Sequence, residues 1–258
     1  VFHSLIVHKR VADPLFEALK RWAVTVYDAD DDPFSHFGAM KYDPIYLARI
    51  SDVNTVSTSK LKEKVPNAKV LVNCLDYSLW GKKKKKPLTV GLVGGASHLS
   101  DWRQVKEPLE KILKRYDVRL VVGGYFPGYL RELPVEFIPW RPYHEYPETI
   151  REIDILLCPL DDDEYNNYKS GIKAVEGMSQ GAVPVCSDHP IYQRVVTHRK
   201  NGLLVGDWEE AISLLIENEK LRLRLSVNGQ RWAYKHRNID TRIGEYVRVY
   251  SEARTVGH

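Results

Sequence analysis

The stretch at residues 165–176 combines residue types that suit the capture of an anion beside a set of hydroxyl groups. Lys169 is a fixed positive charge, Ser170 and Gly171 follow it, and Glu176 offers a carboxylate further on. Periodicity predicts a helix over residues 169–180. On it Lys169, Lys173 and Glu176 share one face, because three- and four-residue steps stack. Ile172, Val175 and Ser179 then face another way, toward a sheet. The first N–H groups of a helix lack intrahelical partners, and with the helix dipole they form a seat for a phosphate. A cation at that helix start and a carboxylate two turns along would hold a nucleotide by its diphosphate and its ribose hydroxyls.

This chemistry needs a scaffold that aims the helix start at open space. Residues 155–160 read as a buried strand before the loop, and 183–185 as a buried strand after the helix. A helix that follows a parallel strand points its N-terminus into the crevice above the sheet. The same alternation runs along the chain. Residues 2–7, 24–28, 53–57 and 69–73 read as strands, with helices at 13–22, 43–50 and 59–65. A second series has strands at 88–93, 118–122, 135–138, 153–157 and 183–186. Its helices fall at 101–115, 169–180, 209–217 and 220–236, and a last one at 241–253. Alternation of this kind implies parallel sheets covered on both faces. Between the two series lies Trp80-Gly81, five lysines and Pro87, a composition that suits a linker and no core. The expected fold class is α/β, with two Rossmann-like domains whose parallel sheets face a cleft. The expected divisions are 1–81, an acceptor-side domain; 82–87, a basic linker; 88–237, a nucleotide-sugar domain; and 238–258, a terminal helix.

The 165–185 segment resembles the sugar-nucleotide half of group 1 glycosyltransferases with the GT-B fold. Glu176, Gly181, Pro184 and Val185 match that family's glutamate and its small–Gly–x–Pro–Val run. Asn201 to Val205 looks like its next turn and strand, and Lys169-Ser170 matches a pair found in one subgroup. The family's commoner form has a further glutamate where this chain has Tyr168, so that residue's sugar-binding role does not carry over. The resemblance extends from Val24 onward and is strongest over residues 88–205. It implies a retaining transfer of sugar from a nucleotide-diphosphate donor, with no metal needed. It also implies a last helix that crosses back to the first domain. Beside the family the first domain is short and lacks the opening strand and Gly-rich loop, so either the domain is trimmed or upstream chain is missing.

Other residues gain candidate roles beside this helix. Gly94-Gly95-Ala96-Ser97-His98 follows the first strand of the second series, where small residues let a ligand approach backbone N–H groups. The resemblance places this loop beside the donor phosphates, with Gly94, Gly95, Ser97 and His98 as donor-binding candidates. A plain strand-to-helix turn is the alternative. Arg103 and Lys106 are candidate phosphate cations or members of a solvated helix face. Tyr143, in Trp140-Arg141-Pro142-Tyr143, would stack on the nucleobase or lie buried under its loop. Asn166, Ser170 and Gly171 join Lys169 and Glu176 as donor-binding candidates.

Four carboxylates crowd Asp28, Asp30, Asp31 and Asp32 at a strand end. They would bind a metal, act as a base or be solvated. The resemblance favours a cleft-facing role, so Asp30 and Asp31 join Lys169 as catalytic candidates, with no metal site. The run Asp161-Asp162-Asp163-Glu164 reads as solvated, since acids would repel a phosphate. His8 and His98 are candidates for polar work, and His3, His36 and His189 weaker ones. Asn73 and Asp76 match a family turn that shapes the hinge.

Composition bounds the rest. The chain has 258 residues, 43% hydrophobic and 28% charged, with a net charge of +4. That suits a soluble globular protein with one or two cores. No apolar run reaches membrane-spanning length, and no basic-then-apolar leader opens the chain. Cys74, Cys158 and Cys186 sit in apolar contexts and read as buried thiols, which favours a reducing cytoplasm. The lysine run reads as a solvated linker, with the inner membrane face or nucleic acid as its sharper partners. The expected partners are a nucleotide-sugar donor and an acceptor that is a glycan, a lipid-linked sugar, a protein or DNA. Three rival readings remain: a non-catalytic sugar-nucleotide-binding subunit, an enzyme that glycosylates nucleic acid, and a sugar-nucleotide epimerase.

Overall fold

The computed structural model describes residues 24–34, 45–79 and 87–256, with side chains as far as Ser251. The strand expected at 2–7, the helix at 13–22, the lysine run, His3, His8 and His36 lie outside the described residues. The chain divides into two compact units, residues 1–72 with 244–258, and residues 73–243.

The smaller unit holds a parallel three-stranded sheet in the order β1-β2-β3, formed by Val26–Ala29, Val53–Val56 and Lys69–Val70. A short helix, α1 (Tyr46–Ile50), precedes β2. The helix expected over 59–65 forms only a 3-10 turn at Lys60–Glu63. Pro66 ends it, because the residue before a proline is pushed out of helical geometry. Thr55, Val56 and Leu61 make the dry centre. The buried Asn54 donates its amide to the carbonyls of Ala48 and Pro66, both at 2.8 Å.

The larger unit is a parallel six-stranded sheet in the order β6-β5-β4-β7-β8-β9. Its strands are β4 (Thr89–Gly94), β5 (Arg119–Gly124), β6 (Val135–Pro139), β7 (Ile155–Cys158), β8 (Val183–Ser187) and β9 (Leu203–Val205). The chain winds outward in one direction from β4, then in the other from β7. The strand order therefore reverses between β4 and β7, and a doubly wound sheet opens its ligand crevice at that point.

Side chains alternate across this sheet with the period of a strand. Val90, Leu92, Leu120, Val122, Ile155, Leu157, Val183 and Val185 face one core. There they meet α2 (Lys106–Arg115) and α6 (Trp208–Glu217). Val93, Val121, Leu156, Cys158 and Cys186 face the other. That side is covered by α3 (Tyr146–Arg151), α4 (Ile172–Ser179) and α5 (Pro190–Gln193), while α7 (Glu219–Arg237) gives Leu221 and Leu225 to the first core and Ala233 to the second. Asp207 and Asn218 cap α6 and α7 through the amides of Glu210 and Leu221, both at 2.9 Å. Leu75 bridges the junction of α7 with α8 (Ile239–Val256), exchanging bonds with Arg237 and Ile239. Cys158 and Cys186 are buried register partners, whereas Cys74 is half-buried, not buried as expected. Among the described residues no helix is long and apolar enough to cross a membrane.

Candidate functional site

The loops after β4, β6 and β7 rise from the carboxyl ends of strands in one sheet and carry most of the expected residues. The loops after β4 and β7 share an anchor in Asp101, which is 1% exposed. Its Oδ1 accepts the backbone N–H of Asp161 at 2.9 Å and the side-chain amide of Asn166 at 3.2 Å. Its Oδ2 lies 2.9 Å from His98 Nδ1. Burial pushes the Asp101 pKa up, but His98, the Asp161 amide and the charge of Lys169 outweigh it and hold the carboxyl below its ordinary range. One buried charge thus ties the loop after β4 to the loop after β7. The sequence showed Asp101 only as a helix opener. The helix expected over 101–115 opens as a 3-10 turn, Asp101–Val105, before α2 begins.

Two expectations for the 165–176 stretch change. Lys169 is not on the helix. Asn166–Tyr168 form a 3-10 turn, Lys169 is extended (φ −61°, ψ 159°), and Gly171 is the N-cap of α4. A Cβ at Gly171 would come within 2.7 Å of Val195 Cγ2 and 3.0 Å of the Ile191 carbonyl, so the chain passes too close to α5 for a larger residue. Lys169 therefore does not share a helix face with Lys173 and Glu176. It is buried before the helix start, its ammonium 4.6 Å from the centre of the Tyr165 ring.

Asn166 is the second correction. It is 2% exposed, and its amide is spent on Asp101, the Asp161 carbonyl at 2.9 Å and Asp163 Oδ2 at 3.1 Å. It holds the loop and does not reach outward to a donor. The acidic run expected to be solvated is what holds it, and Asp161 also accepts the Gln104 amide at 2.8 Å. Asp162, Asp163 and Glu164 are exposed, as expected.

Gly171 gives α4 no side-chain cap, so the first N–H groups of the helix are left for a ligand or water. Ser170 beside it accepts a hydrogen bond from the Asn73 amide at 3.1 Å. One turn into α4, Lys173 and Glu176 pair at 3.5 Å. Glu176 Oε2 also accepts the Tyr146 hydroxyl at 2.9 Å, and that hydroxyl accepts from Lys173 Nζ at 3.3 Å. Glu176 Oε1 makes no hydrogen bond with the described residues and can accept hydroxyl groups. Burial pushes the Tyr146 phenol well above its ordinary pKa, and the Glu176 charge adds to this.

At the end of β4, Gly94 is buried in the strand, while a Cβ at Gly95 would meet nothing within 4 Å. Ser97 is exposed, and His98 is turned by Asp101 and lies parallel to Trp102 at 6.4 Å. Arg103 is exposed, its guanidinium 5.1 Å from the centre of the Tyr129 ring, and Lys106 pairs with Glu110 at 3.5 Å.

After β6, Tyr143 is 65% exposed, not buried under its loop. Partial burial raises its pKa, and the charges of Asp76 and Glu176 add to this. Trp140, equally exposed, is a residue the sequence reading passed over. It lies beside Gly124, whose φ of +92° and close approach to Trp140 and the Gly94 carbonyl both require glycine. The large aromatic just after a strand was the available signal for Trp140.

Asp28 to Asp32 lie in the smaller unit. Thr55 donates to Asp28 Oδ1 at 2.5 Å, and Asp32 accepts the Phe34 amide at 2.9 Å and pairs with Lys64 at 3.8 Å. Asp30 and Asp31 are exposed. His189 is buried and caps α5 through the Ile191 amide. Asp76 accepts from the amide and hydroxyl of Ser78 in a turn.

Several solved structures share this architecture. The Anabaena protein Alr3699/HepE, solved in complex with UDP and glucose, superposes with a TM-score of 0.68 at 16% identity, over 88% of this chain and 71% of that one. Sucrose-phosphate synthase from Thermosynechococcus elongatus gives 0.70 at 14% identity, over 94% and 71%. The C-terminal domain of the group 1 family protein LpcC from Francisella tularensis gives 0.54 at 18% identity, over 64% and 99%. No curated protein sequence matches the chain. The family model for glycosyl transferases group 1 matches residues 81–232. Since that match spans more than half of the chain and takes in the loops from Gly94 to Glu176, the chain belongs to the group 1 glycosyltransferases and has their GT-B type of α/β fold.

Proposed function

We propose that the chain transfers a sugar from a nucleotide-diphosphate donor to an acceptor hydroxyl, with retention of configuration and without a metal. The observation that carries this reading is Glu176, held through one carboxylate oxygen by Tyr146 and Lys173, one turn into an uncapped helix that follows Lys169. Glu176 Oε1 accepts from the ribose hydroxyls. The α4 N–H groups and Lys169 face the diphosphate, with the Gly94-Gly95 loop, Ser97, His98 and Arg103 on its other side. When the anomeric C–O bond breaks, negative charge grows on the departing diphosphate, and fixed donors and a buried cation stabilise it most at that moment. Tyr143 stacks on the base. Asp30 or Asp31 serves the acceptor side, and the acceptor is a glycan, a lipid-linked sugar or a protein. Retention follows the family.

Alr3699/HepE has also been solved with UDP-glucose, which makes UDP-sugars the first donors to test. The unbridged, buried Cys158 and Cys186 fit a reducing cytoplasm as the place of work.

A thermal-shift panel of UDP-, GDP-, ADP- and CMP-sugars tests the reading, followed by release of free nucleotide with water as acceptor. A true donor at a hundred times its Kd stabilises the fold by about 2.7 kcal/mol. A panel in which no sugar nucleotide shifts the melting point overturns the proposal. Binding without turnover leaves a non-catalytic binding subunit.

A further inference from the structure

We infer that Tyr146 is a positioning residue for ribose recognition, acting through Glu176. This rests on the donor reading above and deepens it. Tyr146 opens α3, thirty residues before Glu176 in sequence, and its hydroxyl is the direct donor to Glu176 Oε2 at 2.9 Å. Lys173 donates to the same hydroxyl at 3.3 Å and pairs with Glu176 Oε2 at 3.5 Å. The three groups form one directed chain, lysine to phenol to carboxylate. Donation from an ammonium polarises the phenol and strengthens its own bond to the carboxylate.

The consequence is geometric. A glutamate side chain on a helix is a flexible group, and ordering it costs entropy when a ligand arrives. Here the Tyr146 bond and the Lys173 pair fix Oε2, which also fixes the plane of the carboxylate and the direction of Oε1. Oε1 is the oxygen with no hydrogen bond to the described residues. The ribose diol thus meets an acceptor oriented in advance, and the ordering cost is met by folding instead of binding. Tyr146 needs no contact with the nucleotide for this. The Trp140 ring lies nearby, its centroid 6.2 Å from that of Tyr146 and tilted by 35°.

The test compares UDP with 2′,3′-dideoxy-UDP by calorimetry, on wild type, Tyr146→Phe and Glu176→Gln. Wild type is expected to bind UDP at least tenfold more tightly than the dideoxy compound. Tyr146→Phe is expected to weaken UDP several-fold, leave the dideoxy compound unchanged and so compress the ratio. A general loss of structure would weaken both alike. Combined with Glu176→Gln, the phenylalanine change should add little, because both act through one carboxylate. A wild-type ratio that survives in Tyr146→Phe overturns this inference alone. A wild type that binds both compounds equally overturns the ribose role of Glu176, and the inference falls with it.

Discussion

The carboxylate of Asp101 and the side-chain amide of Asn166 meet at 3.2 Å in a buried site, and this contact joins the loop after β4 to the loop after β7. Neither group can reach water to replace its partner. The loops border the point where the strand order reverses, so the contact sets the spacing of the two sides of the proposed donor site. Asp101 also turns the His98 ring, and its charge is compensated by Lys169. Anchor and cation are therefore coupled, and a change at one alters the other.

Replacing Asp101 with asparagine keeps the shape and an oxygen that accepts from the Asp161 N–H and the Asn166 side chain, but it sets an NH2 group against His98 Nδ1 and removes the charge that Lys169 compensates. The expected loss is about 1–3 kcal/mol at neutral pH, measured by urea unfolding. The pH dependence has a definite sign. The folded pKa of Asp101 lies below its ordinary value of 3.8, so its contribution is present above 3.8 and lost as the pH falls through the folded pKa. The gap between wild type and variant should therefore shrink as the pH drops below 3.8. A gap that widens there would show that Asp101 is not a stabilising anion.

Much of the larger unit was legible in the sequence, because its strands are short apolar runs and its long helices are periodic. Strands β4 to β8 form where they were expected, within about two residues at the ends. The helices Tyr146–Arg151 and Pro190–Gln193 were not foreseen, since under two turns there is too little periodicity to detect. The start of α4 was misplaced for a different reason. Lys169 fits a helical pattern locally, but Asn166 is anchored to Asp101, sixty-five residues away in sequence, and that bond closes a separate turn before the helix. The acidic run at 161–164 is exposed at Asp162, Asp163 and Glu164, as like charges led one to expect, and half-buried at Asp161. Local sequence does not reveal that Gln104 and Asn166 donate to it. The Tyr146–Glu176 bond was hidden in the same way, by distance along the chain.

Lys169→Ala should reduce kcat by roughly a hundredfold, the scale of removing one group that stabilises charge in a transition state. The side chain is buried beside Tyr165, so some stability is lost too, and Asp101 loses part of its compensation. Steady-state kinetics with a UDP-sugar, alongside the melting temperature, separates the effects. A large drop in melting temperature with normal turnover would make Lys169 a structural residue.

Glu176→Gln should weaken nucleotide binding by about 1.5–3 kcal/mol, the range for a hydrogen bond to a charged acceptor. The amide oxygen can still accept from Tyr146, so the fold should be retained, while the ion pair with Lys173 is lost. Unchanged nucleotide affinity by calorimetry would remove Glu176 from the donor site.

Turnover should be insensitive to EDTA. The motive lies on the donor side, where the α4 N-terminus and Lys169 already supply positive charge to a diphosphate. Among the described residues no group of three or more His, Cys, Asp and Glu side chains is placed to hold an ion. Within the Asp28 to Asp32 run, Asp28 is engaged by Thr55 and Asp32 by the Phe34 amide and Lys64. Burial pushes Asp28 above its ordinary pKa; the Thr55 bond works against that, and the Asp30 charge adds to it. Asp28, Asp30 and Asp31 are exposed, and Asp30 and Asp31 are the two proposed to serve the acceptor side. If Asp30→Asn or Asp31→Asn cuts kcat while EDTA leaves the wild-type rate alone, the run acts as a base or acceptor contact. If chelator abolishes activity and Mg²⁺ or Mn²⁺ restores it, the metal-free mechanism is wrong. Full activity in both asparagine variants would reduce the run to a solvated strand end and move the search for the acceptor's base elsewhere in the chain.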